Sequence, residues 1–334
     1  MNINTGISII MNRWLGISRS DVVHVITDEF HPDEADAFRA WAEAQDAALK
    51  VTVLKASEIQ EGSVIESMAG ILEKADLIIG ASDNSFITTQ AVTQAVNSGA
   101  RFLSLPLSCN DGTSLLESNW LDMDPEKCKA MALPLLEALD AASSIRTTTT
   151  SGTNLLCLKR GRKSGFFNGA VEKHRRITSA SFEVYVPIEE NSTQGTLVLD
   201  GSLGYIGLVE QPIHISFDKG RMRIEDSHAD ALKLLRYTES FADDRMFYPG
   251  EYGIGLNTVS RCRGISYIED ESAYGTFHLG LGRNISLGGV QQASGHFDIV
   301  THKPTIWADD VLIMKDGEIT HRPPYRKVPC PAET

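Results

Sequence analysis

Cysteine is sparse in this chain and poorly placed for pairing. Cys109, Cys128, Cys157, Cys262 and Cys330 are odd in number, widely spaced and form no CxxC. That pattern predicts neither a disulfide framework nor a thiolate zinc knuckle, and buried thiols are the expectation. An excess of positive charge is missing too. The 44 acidic and 31 basic residues leave a formal charge of −13, which argues against a nucleic-acid partner. No apolar run is long enough to span a bilayer, so no membrane partner is expected. The opening run MNINTGISIIMNRWLG has no basic residue ahead of its short apolar segment. It makes a poor signal peptide, and a cytoplasmic location is the default expectation. Neither GxGxxG nor GxxxxGKS/T follows any strand-like run, and there is no fixed-period repeat or low-complexity tail.

Strand-like and helix-like runs alternate in the first part of the chain. Strands are expected at 21–28, 50–56, 75–82 and 101–107. Helices are expected at 32–48 (with Pro32 in its first turn), at 63–74, from near Ser85, and at 125–142. This order predicts a doubly wound, Rossmann-like α/β domain over residues 1–145, with its strands parallel. His24 falls inside a strand run and is expected in the core. Asp28, Glu29, Asp33 and Glu34 are expected at a strand end and a helix N-terminus, where negative charge is favoured. The Thr-rich run SSIRTTTTSGTN at 143–154 is expected to cross into a second, mainly β domain over residues 146–334. Strands are expected there at 155–159, 178–187 and 195–207, with one amphipathic helix at 227–244. Hairpins are expected over 212–224, turning at Asp218, Lys219 and Gly220, and over 311–320, turning at Asp316–Gly317.

Candidate chemistry concentrates between Gly250 and Val300. GEYGIGLN at 250–257, GTFHLGLGRN at 275–284 and SGHFDIV at 294–300 deliver Glu251, His278, and the pair His296 and Asp298. Strand alternation puts His296 and Asp298 on one face, with Phe297 and Ile299 turned into a core. The flanking glycines permit close approach of backbone and substrate. Two imidazoles and two carboxylates on separate strands suit a metal; ordinary strand-end polar residues are the alternative on spacing alone. Glu183, in SASFEVYVP, alternates with apolar neighbours and is either a further candidate or an exposed strand residue. The one basic stretch, 160–176, is a solvated loop or a place where Arg160, Arg162 or Lys163 meets a substrate carboxylate. Arg261, Arg263 and Arg283 invite the same reading.

FEVYVP at 182–187, GTLVLDG at 195–201, GEYGIGLN, GTFHLGLG and GHFDIV occur in an order that resembles the thermophilic-type metallo-aminopeptidases, the aminopeptidase T-like family. The resemblance covers about residues 145–320. It implies a two-metal site with Glu183, Glu251, His278, His296 and Asp298 as ligands and Glu251 as the bridging carboxylate. The family's Tyr seven residues after the first metal His is here Ile285, which sets peptide hydrolysis apart from metal binding. The segment EENSTQGTLVLDG followed by PIHISFDKGRM is similar to the 2,5-dihydroxypyridine 5,6-dioxygenases, which hold one iron by two His and one carboxylate. That pattern has His at the position of Glu251 and apolar residues at those of His278 and Glu183, so all three positions here are of the peptidase type.

The resemblance therefore implies a metal-dependent hydrolase, aminopeptidase-like, acting on a small peptide or amide. Zinc, cobalt or manganese would activate water, with Glu183 and Glu251 as the catalytic carboxylates. The alternative is an iron(II)-dependent ring-cleaving dioxygenase using His278, His296 and Asp298. A small-molecule or short-peptide substrate and a homo-oligomer are expected, with no nucleic-acid or membrane partner.

Overall fold

The computed structural model describes residues 1–87, 89–171 and 176–320. Cys330 and part of the basic stretch at 160–176 lie outside them. The chain forms two compact units. One comprises residues 1–125 and 167–181, the other 126–166 and 182–334.

The first unit is built on a parallel sheet. Its strands are β1 (Val23–Asp28), β2 (Leu49–Leu54), β3 (Leu77–Ala81) and β4 (Arg101–Ser104), with Ile177–Ser179 completing one edge. The order is β2-β1-β3-β4 and then Ile177–Ser179, every pairing parallel. Helices α1 (Pro32–Gln45) and α2 (Gln90–Ser98) follow β1 and β3. Ile26, Ile78, Phe86, Val92 and Phe102 form a buried cluster within this unit. His24 is a core residue as expected, bonded through Nε2 to Thr52 Oγ1 at 2.8 Å. The helix expected at 63–74 is broken into Ser63–Ser67 and Ala69–Leu72. The break falls at Met68, and Gly70, inside the second segment, weakens helix propensity there.

The second unit is antiparallel. One sheet runs from the hairpin Ile213–Asp218/Arg221–Ile224 to the hairpin Val311–Lys315/Glu318–Ile319. Both hairpins turn where the sequence predicts. Each has a two-residue loop whose residues carry positive φ: Lys219 and Gly220, Asp316 and Gly317. Such loops match the right-handed twist of the strands they join. The other sheet carries β5 (Phe182–Pro187), β6 (Pro249–Gly255), β7 (Thr276–Gly282) and β8 (His296–His302), which pair in the order β8-β7-β6-β5. Helix α3 (Pro125–Ala141) begins at the boundary between the units, α4 (Ala229–Ser240) is the amphipathic helix expected at 227–244, and α5 (Tyr267–Ser272) precedes β7.

The single strand expected over 178–187 is two strands in different sheets. Ile177–Ser179 pairs parallel with β4, while Phe182–Pro187 pairs antiparallel with β6. The run is apolar enough for one continuous strand, but each half finds its hydrogen-bond partners on a different edge. Likewise 195–207 is a strand only to Leu199. Ser202–Leu203 then pairs with β8 before a 3-10 turn at Gly204–Ile206. Among the described residues no helix is long and apolar enough to cross a membrane.

Candidate metal centre

The register of the second unit's site-bearing sheet sets the candidate ligands in a checkerboard with glycine. Gly253 lies opposite His278, Gly280 opposite both Glu251 and Asp298, Gly282 opposite His296, and Gly255 opposite Glu183. Residues directly opposite share a face, so Glu183, Glu251, His278, His296 and Asp298 all project from one side of the sheet. The alternate positions Tyr252, Ile254, Phe277, Leu279, Leu281, Phe297 and Ile299 are buried on the other side. The expected alternation of His296 and Asp298 against Phe297 and Ile299 is what the strand adopts.

The glycines make room for the polar groups. A Cβ on Gly253 would stand 1.9 Å from His278 Nε2, and one on Gly280 would stand 2.6 Å from His296 Cε1 and 2.9 Å from Glu251 Oε2. Both imidazoles aim Nε2 at carboxylates. His278 Nε2 is 2.9 Å from Glu183 Oε2; His296 Nε2 is 3.1 Å from Glu251 Oε2 and 3.2 Å from Asp298 Oδ1. His296 Nδ1 donates to the Arg283 carbonyl at 2.8 Å, which orients the ring with Nε2 toward the carboxylates. The side chain of His296 is 34% exposed and that of His278 only 1%, so the centre opens at His296.

Burial by itself would lower both imidazoles, but the carboxylates outweigh it. Glu183 above all raises His278 to about 9, and Asp298 and Glu251 raise His296. Burial raises Glu251, and its carboxylate neighbours Glu183 and Asp298 add to the effect. Asp298 is held low against its burial by His296 and His278.

A residue not singled out from the sequence completes the set. Glu271, on α5, is buried and hydrogen-bonded to Asp298. Burial first, then Glu183, Asp298 and Glu251, raise its carboxyl well above the usual range. Its only signal was the acidic run in YIEDESAYG ahead of β7. The other two acids there turn elsewhere: Asp270 accepts from the Arg263 and Gly264 amides, and Glu269 pairs with Arg263.

The donor set fits divalent metal. Four carboxylates face two imidazoles in a largely buried space, an excess of negative charge that is expensive without cations. The ligand-type atoms fall into two groups, Glu183–Glu251–His278 and Glu251–His296–Asp298, each with its atoms within 4.8 Å of one another. Glu251 belongs to both.

The cations considered for substrate have partners within the protein. Arg160 pairs with Glu189, Arg162 with Glu190 and Lys163 with Asp140. Arg261 donates to the Ser260 carbonyl, and Arg283 to that of Ser294. Tyr274 bonds Glu318, and Ile285 sits 44% exposed in a 3-10 turn. A third acid–imidazole group, Asp28–His31–Asp83, lies in the first unit. There His31 is bonded to Asp83 at 2.8 Å; Asp28 ends β1, and Asp33 and Glu34 lie in the first turn of α1, as the sequence predicts.

A family model described as NicX: 2,5-dihydroxypyridine 5,6-dioxygenase matches residues 16–321. The chain belongs to this family. Comparison with curated proteins returns no match. Two solved structures are similar in fold to this NicX-family chain. A 2,5-dihydroxypyridine dioxygenase from Pseudomonas putida KT2440 superposes with a TM-score of 0.78 at 18% identity, covering 97% of this chain and 98% of its own. Wild-type AmpT from Thermus thermophilus gives 0.65 at 14% identity, covering 96% and 99%. Both families met in the sequence are thus represented. Of the two activities, the comparisons support the dioxygenase of the NicX family more strongly than the hydrolase.

Proposed function

We propose that this chain is a metal-dependent hydrolase that cleaves an amide bond in a small substrate, with a centre in which Glu183, Glu251, His278, His296 and Asp298 would hold divalent metal. The observation that carries this reading is the pair of three-residue donor groups sharing one carboxylate. Glu183 and His278 would hold one ion; His296 and Asp298 would hold the other. Zinc, cobalt or manganese bound there would acidify water and polarise a carbonyl.

The protein's own groups do the rest. His296 stays oriented by the Arg283 carbonyl. The apolar reverse face of the sheet fixes the strands that carry the ligands, so the donors are preorganised. Glu183, assigned to proton transfer in the sequence reading, stands inside a donor group. The acid left over is Glu271, buried beside Asp298, and we assign it to proton exchange with substrate.

A second reading, an iron(II)-dependent ring-cleaving dioxygenase, is supported by family membership and by the greater structural likeness. What distinguishes the two is the number of donors: one iron held by His278, His296 and Asp298 would leave Glu183 and Glu251 over, whereas two ions would use all five. The deciding experiment is metal analysis of the purified protein, together with turnover of leucine amide, dipeptides and 2,5-dihydroxypyridine under zinc, cobalt, manganese and iron(II). Two equivalents of metal and amide cleavage are expected. One equivalent of iron, oxygen uptake with the dihydroxypyridine and no hydrolysis would replace this reading by the second.

A further inference from the structure

Asn284 stands just beyond the end of β7 and is fully buried. Its side chain fits between two glycines. A Cβ on Gly250 would lie 2.7 Å from its Nδ2, and one on Gly289 would lie 2.1 Å from its Cγ. The partners fix which way the amide points. Nδ2 donates to Glu190 Oε1 at 2.7 Å and to the Gly250 carbonyl at 2.9 Å. Oδ1 accepts from the Gln291 N–H at 2.9 Å. A carboxylate and a carbonyl can only accept and a backbone N–H can only donate, so the reverse orientation would break all three bonds.

Glu190 is itself held. Arg162 bonds both of its oxygens, at 3.0 and 2.9 Å, and the Val290 N–H donates to Oε1 at 3.1 Å. Burial would raise Glu190, but Arg162 and Asn284 hold it down at about 2, so the bond from Asn284 is charge-assisted. Two peptide groups meet at Asn284, and each borders a candidate ligand. The Gly250 carbonyl belongs to the planar group that carries the Glu251 N–H. The Arg283 carbonyl, which accepts from His296 Nδ1, belongs to the group that carries the Asn284 N–H. That N–H is anchored on the Gln291 carbonyl at 3.2 Å. The side chain of Asn284 thus grips the backbone ahead of Glu251, and its main chain carries the peptide that orients His296.

We propose that Asn284 is a positioning residue of the metal centre, fixing Glu251 and His296 relative to one another, with the Glu190–Arg162 pair as its anchor. The inference rests on the reading that Glu251, His296 and Asp298 hold metal, but not on which of the two reactions follows. Groups that orient ligands without touching the ion set its affinity, because a misplaced donor lengthens or bends its bond to the metal.

The test uses the full-length protein with zinc or cobalt(II). Zinc affinity is measured against a competing chelator, and the visible spectrum of the cobalt form reports ligand geometry. Asn284→Asp keeps the size of the side chain but sets a carboxylate oxygen against Glu190 and the Gly250 carbonyl. It should weaken zinc by about 10- to 100-fold and alter the cobalt spectrum. Glu190→Gln keeps an oxygen for Asn284 but removes the charge, and should weaken zinc by a smaller factor. A side chain serving stability alone would lower the melting temperature while the folded variant kept wild-type zinc affinity and cobalt spectrum. That result in Asn284→Asp overturns the proposal. If Asn284→Asp does not fold, wild-type affinity and spectrum in Glu190→Gln overturn it instead. Wild-type protein that takes up neither metal would sink the reading of the centre, and this inference with it.

Discussion

Replacing Gly253 by alanine should dislodge His278 without altering a single donor atom. Gly253 sits within β6 and its φ lies outside the left-handed region, so alanine can adopt its backbone. The cost is steric. The new methyl would meet His278 at 1.9 Å from Nε2, 2.1 Å from Cε1 and 2.6 Å from Cδ2, so Nε2 falls about 1.5 Å short of ordinary van der Waals contact. The ring is 1% exposed and flanked by packed strands, so it must leave its rotamer or push β6 and β7 apart. Overpacking of this kind costs about 1–3 kcal/mol. Metal–ligand distances tolerate only about 0.2 Å, so the larger effect is expected on metal affinity, lowered by about 10- to 100-fold. Gly70 supplies the control: a Cβ there meets nothing within 4 Å, and alanine should be neutral or stabilise by about 0.4–1 kcal/mol. The assay is zinc titration of both variants against a competing chelator, paired with thermal melts. A Gly253→Ala protein with wild-type zinc affinity would refute the argument that these glycines exist to seat the ligands.

Other outcomes follow from the same geometry. His278, raised to about 9, and His296, also raised, are protonated at pH 7 without metal and must lose those protons to ligate. Binding of each ion should therefore release about one proton, and its apparent affinity should fall about tenfold per pH unit on acidification below neutrality; calorimetry in buffers of different ionisation enthalpy that finds no release would contradict this. Glu271→Gln should leave metal content intact and depress turnover, by about 100-fold on the general acid–base scale; full activity would remove Glu271 from the chemistry. In the first unit, burial opposes protonation of His31, but Asp83, Glu34 and Asp28 raise it to about 10 from 6.5. Its contribution to stability is then complete below about pH 6.5 and disappears as pH rises through 10. His31→Gln should destabilise by about 2–4 kcal/mol at pH 6 and hardly at all above pH 10; urea melts showing the same deficit at both pH values would rule this out.

Much of the fold was legible in local pattern. Alternation in SGHFDIV put His296 and Asp298 on one face, and Lys219–Gly220 and Asp316–Gly317 marked their hairpins, because strand periodicity and turn chemistry are properties of a few adjacent residues. The α/β alternation of the first part announced a parallel sheet for the same reason. Tertiary structure decided what depends on pairing between distant segments. Sequence order could not show that each of the five candidate ligands would face a glycine across the sheet, because register is set by long-range partners. Nor could it show that 178–187 would split between two sheets. Glu271 escaped notice because it lies on a short helix, where no strand periodicity points at the site. Sequence could not show that Arg160, Arg162 and Lys163 would pair with Glu189, Glu190 and Asp140. A charge advertises itself in one dimension, but its partner is chosen in three.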